Sequence, residues 1–184
     1  MRRVAALLAV LGLAAAGVGY VHATEPGWWV RLWYPLKYES IIRAHARNYR
    51  LDPALLAAVI DQESKFRPTV KSTSGAIGLM QLLPDTAKGI AVHTGGTHFR
   101  VSDLYDPELN VRYGSWYLRH LLDKYGDERT ALAAYNAGQE NVDEWRRNGQ
   151  GIAFAETRSY VSRVEHLKTL YRRGYGRQLG PASQ

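Results

Sequence analysis

Glu63 is the side chain of this sequence whose surroundings best suit acid chemistry. Leu56, Val59 and Ile60 precede it at helical spacing, so the four residues share one face of a helix. A carboxyl group held among aliphatic side chains is disfavoured in its charged form, and this raises its pKa toward the range that a general acid needs. Taken alone, however, a glutamate near a helix end is more often structural, because ionic groups commonly reach water there.

Three further short stretches, together with the one that contains Glu63, change this assessment. Each has an ordinary explanation by itself: the glycines permit close packing, and Tyr135-Asn136 before Gly138 suits a helix end. The four stretches read E-S-K-F at 63–66, G-A-I-G-L-M-Q at 75–81, A-A-Y-N-A-G at 133–138 and E-T-R-S-Y-V at 156–161. In this order and at these distances they resemble the catalytic domain of the soluble lytic transglycosylases, over residues 38–171.

The resemblance implies a fold, an activity and a set of site residues. The fold is mostly α-helical, of the goose-type lysozyme-like kind. The activity is cleavage of the β-1,4 bond between N-acetylmuramic acid and N-acetylglucosamine in peptidoglycan, with 1,6-anhydro-muramic ends as products. Glu63 would be the only catalytic acid, and the hydroxyl of Tyr160 would point toward it. The implied substrate-binding residues are Ser72, Met80, Gln81, Tyr135 and Asn136. The family pattern uses no cofactor and no metal.

A mechanism with one acid needs an explanation, because glycosidases usually employ two carboxylates. Asp61 lies two residues from Glu63 and therefore on another face of the helix, where we expect a solvated group. In the transglycosylase mechanism the substrate's own N-acetyl oxygen, or its ring oxygen, stabilises the positive charge on C1. We expect a tyrosine hydroxyl and a dry pocket to keep Glu63 protonated. The residues predicted to form that pocket are Leu56, Val59, Ile60 and Met80.

Helical periodicity dominates the chain from residue 38, and no stretch keeps the two-residue alternation of a strand. Asp52-Pro53 and Asp127 are helix-start signals, and Gly126 and Gly138 are stops. We therefore predict a mostly α domain over 38–176, followed by a flexible tail over 177–184. The predicted helices are 38–49, a helix from 53, 75–83, 84–91, 107–125, 129–136, 141–147 and 155–171, with loops at 71–75 and 93–100.

Residues 1–37 carry the marks of an export signal or a membrane anchor. Arg2 and Arg3 precede a run without charge over 4–21, which is about long enough to cross a bilayer. A tolerable cleavage site ends at Ala23. The aromatic cluster that follows is typical of a membrane–water interface and favours a retained anchor that faces the cell wall. Cleavage after Ala23 would instead leave a secreted or periplasmic protein. The cluster consists of Trp28, Trp29, Trp33 and Tyr34.

The composition of the chain limits which partners and cofactors it can bind. Cysteine is absent from the 184 residues, which excludes disulfides, thiolate zinc sites and a cysteine nucleophile. His93 and His98 flank a glycine pair with no carboxylate at ligand spacing, so we interpret them as loop residues. The net charge of +7 suits nucleic acid, an anionic membrane or an anionic polymer, but the export segment argues against nucleic acid. We expect peptidoglycan strands as the partner, membrane contact through the N-terminal segment, and a monomer.

Two other functions remain open from the sequence. A goose-type muramidase would cleave the same bond with the same acid but with water as the nucleophile, and its missing base would be sought at Asp85, Asp103 or Asp106. A non-catalytic, membrane-tethered glycan-binding module is the alternative from another class, although such a module has no use for a buried acid. Product chemistry separates the two enzymes, since only the transglycosylase forms anhydro ends.

Overall fold

The computed structural model describes residues 2–96 and 98–181. Within these residues the chain forms nine α-helices and one short 3-10 helix, so the mostly α prediction is confirmed. The helices are α1 (Arg2–Thr24), α2 (Gly27–Trp33), α3 (Glu39–Asn48), α4 (Pro53–Ser64), α5 (Pro84–His93), α6 (Pro107–Tyr125), α7 (Glu128–Ala137), α8 (Gln139–Arg147) and α9 (Ala155–Leu179), and the 3-10 helix is Val101–Tyr105.

Helix α4 lies at the centre of the fold. Its residues from Pro53 to Asp61 are all buried, and it packs along α9 and against α3. The Asp52 carboxylate accepts a hydrogen bond from the Ala54 N–H at 2.9 Å, and Pro53 occupies the first turn. These local signals start the helix where the sequence predicts it. The last turn of α4 carries Glu63 from this core to the wall of a cavity.

Similar capping signals set the two helices that complete the cavity from the other side. The Asp106 carboxylate accepts from the Leu109 N–H at 2.8 Å at the start of α6. Gly126 ends α6 with a left-handed φ of 78°. The Asp127 carboxylate then accepts from the Thr130 N–H at 2.8 Å and starts α7. The boundaries of α6 and α7 therefore follow from residues adjacent in sequence.

The predicted helix over 75–83 is wrong. The segment is irregular and contains only isolated β-bridges. Gly75 and Gly78 have φ angles of 87° and 85°, and Gln81 has a φ of 47°; an α-helix contains no such left-handed values. The buried side chain of Asn110, from α6, holds this conformation through hydrogen bonds that the local sequence does not contain.

Helix α9 continues past its predicted end at 171 and reaches Leu179. Tyr175 and Leu179 are only 8% and 4% exposed, so the start of the predicted tail belongs to the packed helix. Residues 182–184 of that tail lie outside the described residues. Helix α2 supplies the opposing surface: Val30 is fully buried next to Gly174, and the Arg31 Nε–H donates to the Gly174 carbonyl at 2.8 Å.

The two N-terminal helices expose much apolar surface. The side chains of residues 11–20 in α1 are exposed. On α2, Trp28, Leu32 and Trp33 are 60%, 67% and 61% exposed. Over residues 2–96 and 98–181, no helix has both the length and the apolar character needed to cross a lipid bilayer.

Asp61 is buried, and the prediction that it is solvated is wrong. The residue is 5% exposed, forms an ion pair with Lys65 at 3.2 Å, and faces the hydroxyl of Tyr171 on α9. Its offset of two residues from Glu63 does turn it to another helix face, but helix α9 covers that face. Asp61 therefore lies away from the cavity.

The contact between α2 and α9 depends on the absence of a side chain at Gly174. A Cβ at this position would lie 2.8 Å from Val30 Cγ1, whereas a Cβ at Gly176 meets no atom within 4 Å. We expect Gly174→Ala to lower the free energy of unfolding by about 1–2 kcal/mol through overpacking. Gly176→Ala, the matched control in the same helix, should raise it by about 0.5–1 kcal/mol. Denaturant titration of both variants measures this; equal stabilisation by the two would contradict it.

Candidate active site

A cavity of about 400 Å³ lies between the end of α4, the irregular segment 72–83, the start of α5, and the facing parts of α6, α7 and α9. Its wall brings together residues from all four of the sequence stretches. The predicted site residues that line it are Glu63, Ser72, Gln81, Tyr135 and Asn136. Tyr160 contacts the same place through its hydrogen bond to Glu63.

Glu63 is a carboxyl group enclosed by protein, with part of its side chain open to the cavity. Burial raises its pKa from 4.5 to about 7. The buried Tyr160 hydroxyl donates a hydrogen bond to Glu63 Oε1 at 2.6 Å. That bond favours the carboxylate and lowers the pKa of Glu63, opposing the effect of burial. The expectation that the tyrosine keeps Glu63 protonated is therefore wrong; burial alone does so.

Tyrosines surround the acid on its protein side. Tyr160 is 6% exposed, and its own pKa is raised well above the usual value, first by burial and then by the nearby Glu63. The pKa of Tyr135 is raised for the same two reasons in the same order. Both phenols therefore remain neutral hydrogen-bond donors across the pH range in which Glu63 titrates.

The wall formed by the irregular segment is held by Asn110. The Asn110 Oδ1 accepts from the Met80 N–H at 2.8 Å, and its Nδ2 donates to the Ile77 and Leu104 carbonyls at 2.9 and 2.8 Å. Asn110 itself is fully buried. A Cβ at Gly78 would lie 2.2 Å from Asn110 Nδ2, so only glycine permits this approach.

Met80 does not line the cavity with its side chain, contrary to the prediction. The side chain is fully buried, and the space it fills is open only because residue 114 is glycine, where a Cβ would lie 2.3 Å from Met80 Sδ. Its backbone carbonyl nevertheless matters to the site. It accepts a hydrogen bond from the Tyr135 hydroxyl at 2.8 Å, which joins the two walls of the cavity.

The predicted polar groups of the cavity are already oriented by neighbours. The Gln81 amide donates to the Val70 and Gly78 carbonyls at 3.1 and 2.9 Å. Ser72 Oγ lies 2.9 Å from Ser74 Oγ and accepts from the Ala76 N–H at 3.0 Å.

Asn136, at the end of α7, is held by a residue from α9. It is exposed, and its Oδ1 accepts a hydrogen bond from the hydroxyl of Thr157 at 2.8 Å. Thr157 is 2% exposed and belongs to the stretch at 156–161, although we predicted no role for it. The bond leaves the Asn136 amide nitrogen available to a ligand in the cavity.

Sequence reasoning missed several lining residues, among them Tyr117 and Glu156. The Tyr117 ring contacts the Tyr135 ring in a tilted arrangement with centroids 5.5 Å apart, and its spacing on α6 indicated only an apolar helix face. Glu156 could have been found, because it lies four residues before Tyr160 and so shares its face of α9.

The aspartates considered as a second base lie elsewhere. Asp85 pairs with Lys88 at 2.9 Å on the exposed surface of α5. Asp103 accepts from the Arg100 N–H at 2.8 Å, and Asp106 caps α6. None of the three lines the cavity, so the second carboxylate there is Glu156.

The chain is similar to known proteins over most of its length. The family model of the transglycosylase SLT domain matches residues 40–157. A soluble lytic murein transglycosylase of Salmonella typhimurium is 34% identical over 176 residues, which cover 86% of this chain and 27% of the relative. A transglycosylase of Enterobacteria phage PRD1 is 40% identical over 129 residues, which cover 70% of this chain and 42% of the relative. This chain thus spans less than half of either relative.

A solved structure of a lytic transglycosylase from Pseudomonas aeruginosa, an inactive Glu-to-Gln variant, matches with a TM-score of 0.74 and 29% identity. The match covers 85% of this chain and 27% of that one. The predicted lysozyme-like helical fold class and the resemblance read from the four stretches are confirmed. Other relatives are named membrane-bound lytic murein transglycosylases.

Proposed function

This chain belongs to the transglycosylase SLT domain family, and we propose that it is a peptidoglycan lytic transglycosylase. It cleaves the β-1,4 bond between N-acetylmuramic acid and N-acetylglucosamine and leaves 1,6-anhydro-muramic ends. The observation that carries this proposal is the partly buried Glu63, whose pKa is raised to about 7, hydrogen-bonded to Tyr160 on the wall of the cavity. A carboxyl group with this pKa can act as an acid and then as a base at neutral pH.

In the first step Glu63 is the acid. Its proton passes to the glycosidic oxygen, and the bond from that oxygen to C1 of the muramic sugar breaks. The N-acetyl oxygen of the same sugar, or its ring oxygen, takes up the positive charge on C1. Glu63 is left as a carboxylate, and the Tyr160 hydroxyl stabilises it through the bond of 2.6 Å.

In the second step Glu63 is the base. It takes the proton of the C6 hydroxyl while O6 forms a bond to C1, which closes the anhydro ring and restores the protonated acid. No water is consumed, so one carboxyl group serves both steps. The inactive Glu-to-Gln variant of the Pseudomonas aeruginosa relative supports the assignment of one essential glutamate.

We assign substrate contacts to the polar groups that line the cavity. The Ser72 hydroxyl contacts the N-acetyl group, and Gln81, Tyr135 and Asn136 hold the sugar rings beside the acid. Their hydrogen bonds to protein neighbours support these roles, because an oriented group loses less conformational freedom on binding. Met80 contributes through its backbone carbonyl rather than its side chain.

A goose-type muramidase is the second candidate, because the carboxylate of Glu156 lines the same cavity as Glu63. A base at this position would deprotonate a water molecule as it attacks C1, and the products would have reducing ends. Mass spectrometry of muropeptides released from purified peptidoglycan separates the two reactions. We expect anhydro ends, and we expect them to persist in Glu156→Gln. Reducing ends, heavier by one water, that vanish in Glu156→Gln would establish the muramidase instead.

We further propose that the chain is exported and that its N-terminal segment holds the domain at a membrane facing the cell wall. The exposed Trp28, Leu32 and Trp33 of α2 support this, because aromatic side chains favour the membrane–water interface. Cleavage after Ala23 would leave α2 in place on α9. Fractionation of cells together with N-terminal sequencing distinguishes a retained anchor from a cleaved chain. We propose that the chain acts as a monomer.

Removal of the Tyr160 hydroxyl should shift the pH profile of kcat/KM to higher pH. The acid step needs protonated Glu63, so kcat/KM should fall as the pH rises through about 7. Because the Tyr160 hydrogen bond lowers the pKa of Glu63, Tyr160→Phe should shift this fall to higher pH by about one pH unit. The variant should also be slower, because the carboxylate formed in the first step loses a donor.

Profiles of kcat/KM against pH on soluble glycan strands measure this shift. Tyr125→Phe is the control, since the Tyr125 hydroxyl bonds Asp143 outside the cavity. An unchanged profile, or a shift to lower pH, in Tyr160→Phe would show that the bond does not act on Glu63.

A further inference from the structure

A second cavity, of about 390 Å³, lies beyond the opposite end of α7. We call it the arginine pocket and define it by Arg129, Arg146, Arg158, Val142 and Trp145. Residues at the end of α7 line the candidate active site, whereas residues at its start line the arginine pocket. The two cavities have no lining residue in common. The reaction proposed above gives the arginine pocket no role.

The floor of the arginine pocket is apolar. Ala133, Val142 and Trp145 line it and are 0%, 3% and 6% exposed. The Trp145 ring is fixed edge-on against Phe154 at a centroid distance of 4.8 Å. An occupant with a small aliphatic body would remove this surface from water.

The rim of the arginine pocket is cationic. Three guanidinium groups and one carboxylate, that of Asp127, line the pocket. The Asp127 carboxylate already accepts a hydrogen bond from the Thr130 N–H as the cap of α7. Arg129 is neutralised by both oxygens of Glu165, at 2.8 and 2.6 Å. A ligand that fits both rim and floor therefore needs an anionic group next to an apolar one.

Arg146 and Arg158 are the two groups available to such an anion. One guanidinium nitrogen of Arg158 donates to the Ile152 and Ala153 carbonyls, both at 2.7 Å. These two bonds fix the orientation of the guanidinium group. The Arg146 guanidinium lies 5.5 Å from the centre of the Tyr125 ring. Within residues 2–96 and 98–181, neither forms an ion pair with a carboxylate. A planar guanidinium matches a carboxylate through two parallel hydrogen bonds.

We propose that the arginine pocket binds the terminal carboxylate of a peptide whose last residues are small and aliphatic. This inference rests on the proposed function in one respect: we identify the ligand as the peptide stem carried by the muramic sugar. Arg146 and Arg158 bind the carboxylate, and the last side chains lie on Val142 and Trp145. The pocket then gives the enzyme a preference for strands that retain their peptides.

Binding to the full chain tests the pocket without catalysis. The probe is N-acetyl-D-alanyl-D-alanine, and its C-terminal amide is the matched control ligand. We expect saturable binding of the acid with a change in the Trp145 indole NMR signal, and binding of the amide weaker by about tenfold. Arg146→Ala should weaken binding of the acid by about tenfold, whereas Arg47→Ala, which removes an exposed charge on α3, should not.

Arg158→Lys provides a second test, because it keeps the charge but removes the two-pronged geometry. It should also weaken binding of the acid. Equal affinity for acid and amide, the absence of saturable binding, or unchanged affinity in Arg146→Ala would each overturn the proposal.

Turnover distinguishes the stem peptide from other carboxylates. Arg146→Ala should raise KM by about tenfold on peptide-bearing strands and leave KM unchanged on strands stripped of peptide. An equal rise on both substrates would overturn the identification of the ligand. If the wild-type chain cleaves neither strand, the proposed function fails, while dipeptide binding still decides the fate of the arginine pocket.

Discussion

Glu63→Gln should lower turnover of peptidoglycan by at least about a thousandfold while the chain remains folded. The amide matches the carboxyl group in shape, and its oxygen can still accept the hydrogen bond from Tyr160. It cannot donate a proton to the glycosidic oxygen, and it cannot take the proton of the C6 hydroxyl. Both steps therefore fail together. The measurement is the rate of release of anhydro-muropeptides, alongside glycan binding by the same preparation.

The same substitution should stabilise the fold above neutral pH. Burial raises the pKa of Glu63 from 4.5 to about 7, so between these values the folded chain retains a proton that the unfolded chain has lost. The free energy of unfolding of the wild type therefore falls as the pH rises through this window. The difference corresponds to about 3 kcal/mol at most. Gln carries no such dependence, so Glu63→Gln should gain stability over the wild type at pH 8 and little at pH 4.

Glu144→Gln, an exposed carboxylate on α8, is the control for both measurements and should change neither. Activity of Glu63→Gln within tenfold of the wild type would remove Glu63 from the catalytic role. Loss of activity without the pH-dependent gain in stability would mean that the pKa of Glu63 is not raised in the folded chain. The two readouts thus separate the chemistry from the burial that enables it.

Helix boundaries were predictable where the signals are local. Asp52 before Pro53, Asp106 before Pro107 and Gly126 before Asp127 act within a few residues, and each starts or ends a helix at the predicted place. The four motif stretches also predicted which polar residues from distant segments lie together with Glu63, and these residues line one cavity. The roles of those residues in binding sugar remain predictions.

Other features depend on partners that sequence spacing does not reveal. The segment 75–83 is apolar enough for a helix, but Asn110, about thirty residues later, supplies hydrogen bonds that favour another conformation. The end of α9 is polar in sequence, yet α2 buries one face of it from the other end of the chain. Met80 lies in one of the motif stretches, but its side chain packs in the core, where the absence of a side chain at Gly114 leaves space for it. In each case tertiary contacts override local preference.

Asn110 should therefore be the residue on which the cavity wall depends most. Asn110→Leu keeps the branched shape of the side chain but leaves the Met80 N–H and the Leu104 carbonyl without their partner in a buried site. The Ile77 carbonyl loses one of two bonds, since it also accepts from the Leu82 N–H at 3.1 Å. At about 1–3 kcal/mol for each of these two unpaired groups, we expect the free energy of unfolding to fall by about 2–6 kcal/mol. Guanidinium titration measures it as a lower midpoint at an unchanged slope. Asn141→Leu, which removes a single bond to the Ala137 carbonyl, should cost about 1 kcal/mol.

Asn110→Asp tests how the network acts, because it keeps the acceptor for the Met80 N–H but places a carboxylate oxygen against two carbonyls. It should destabilise the fold at neutral pH and recover part of the loss in acid, where a protonated carboxyl group can donate once more. Turnover should fall in both variants, since Gln81 and the Met80 carbonyl lie on this segment. If Asn110→Leu were no less stable than Asn141→Leu, the conformation of the cavity wall would have to be fixed by its own glycines rather than by α6.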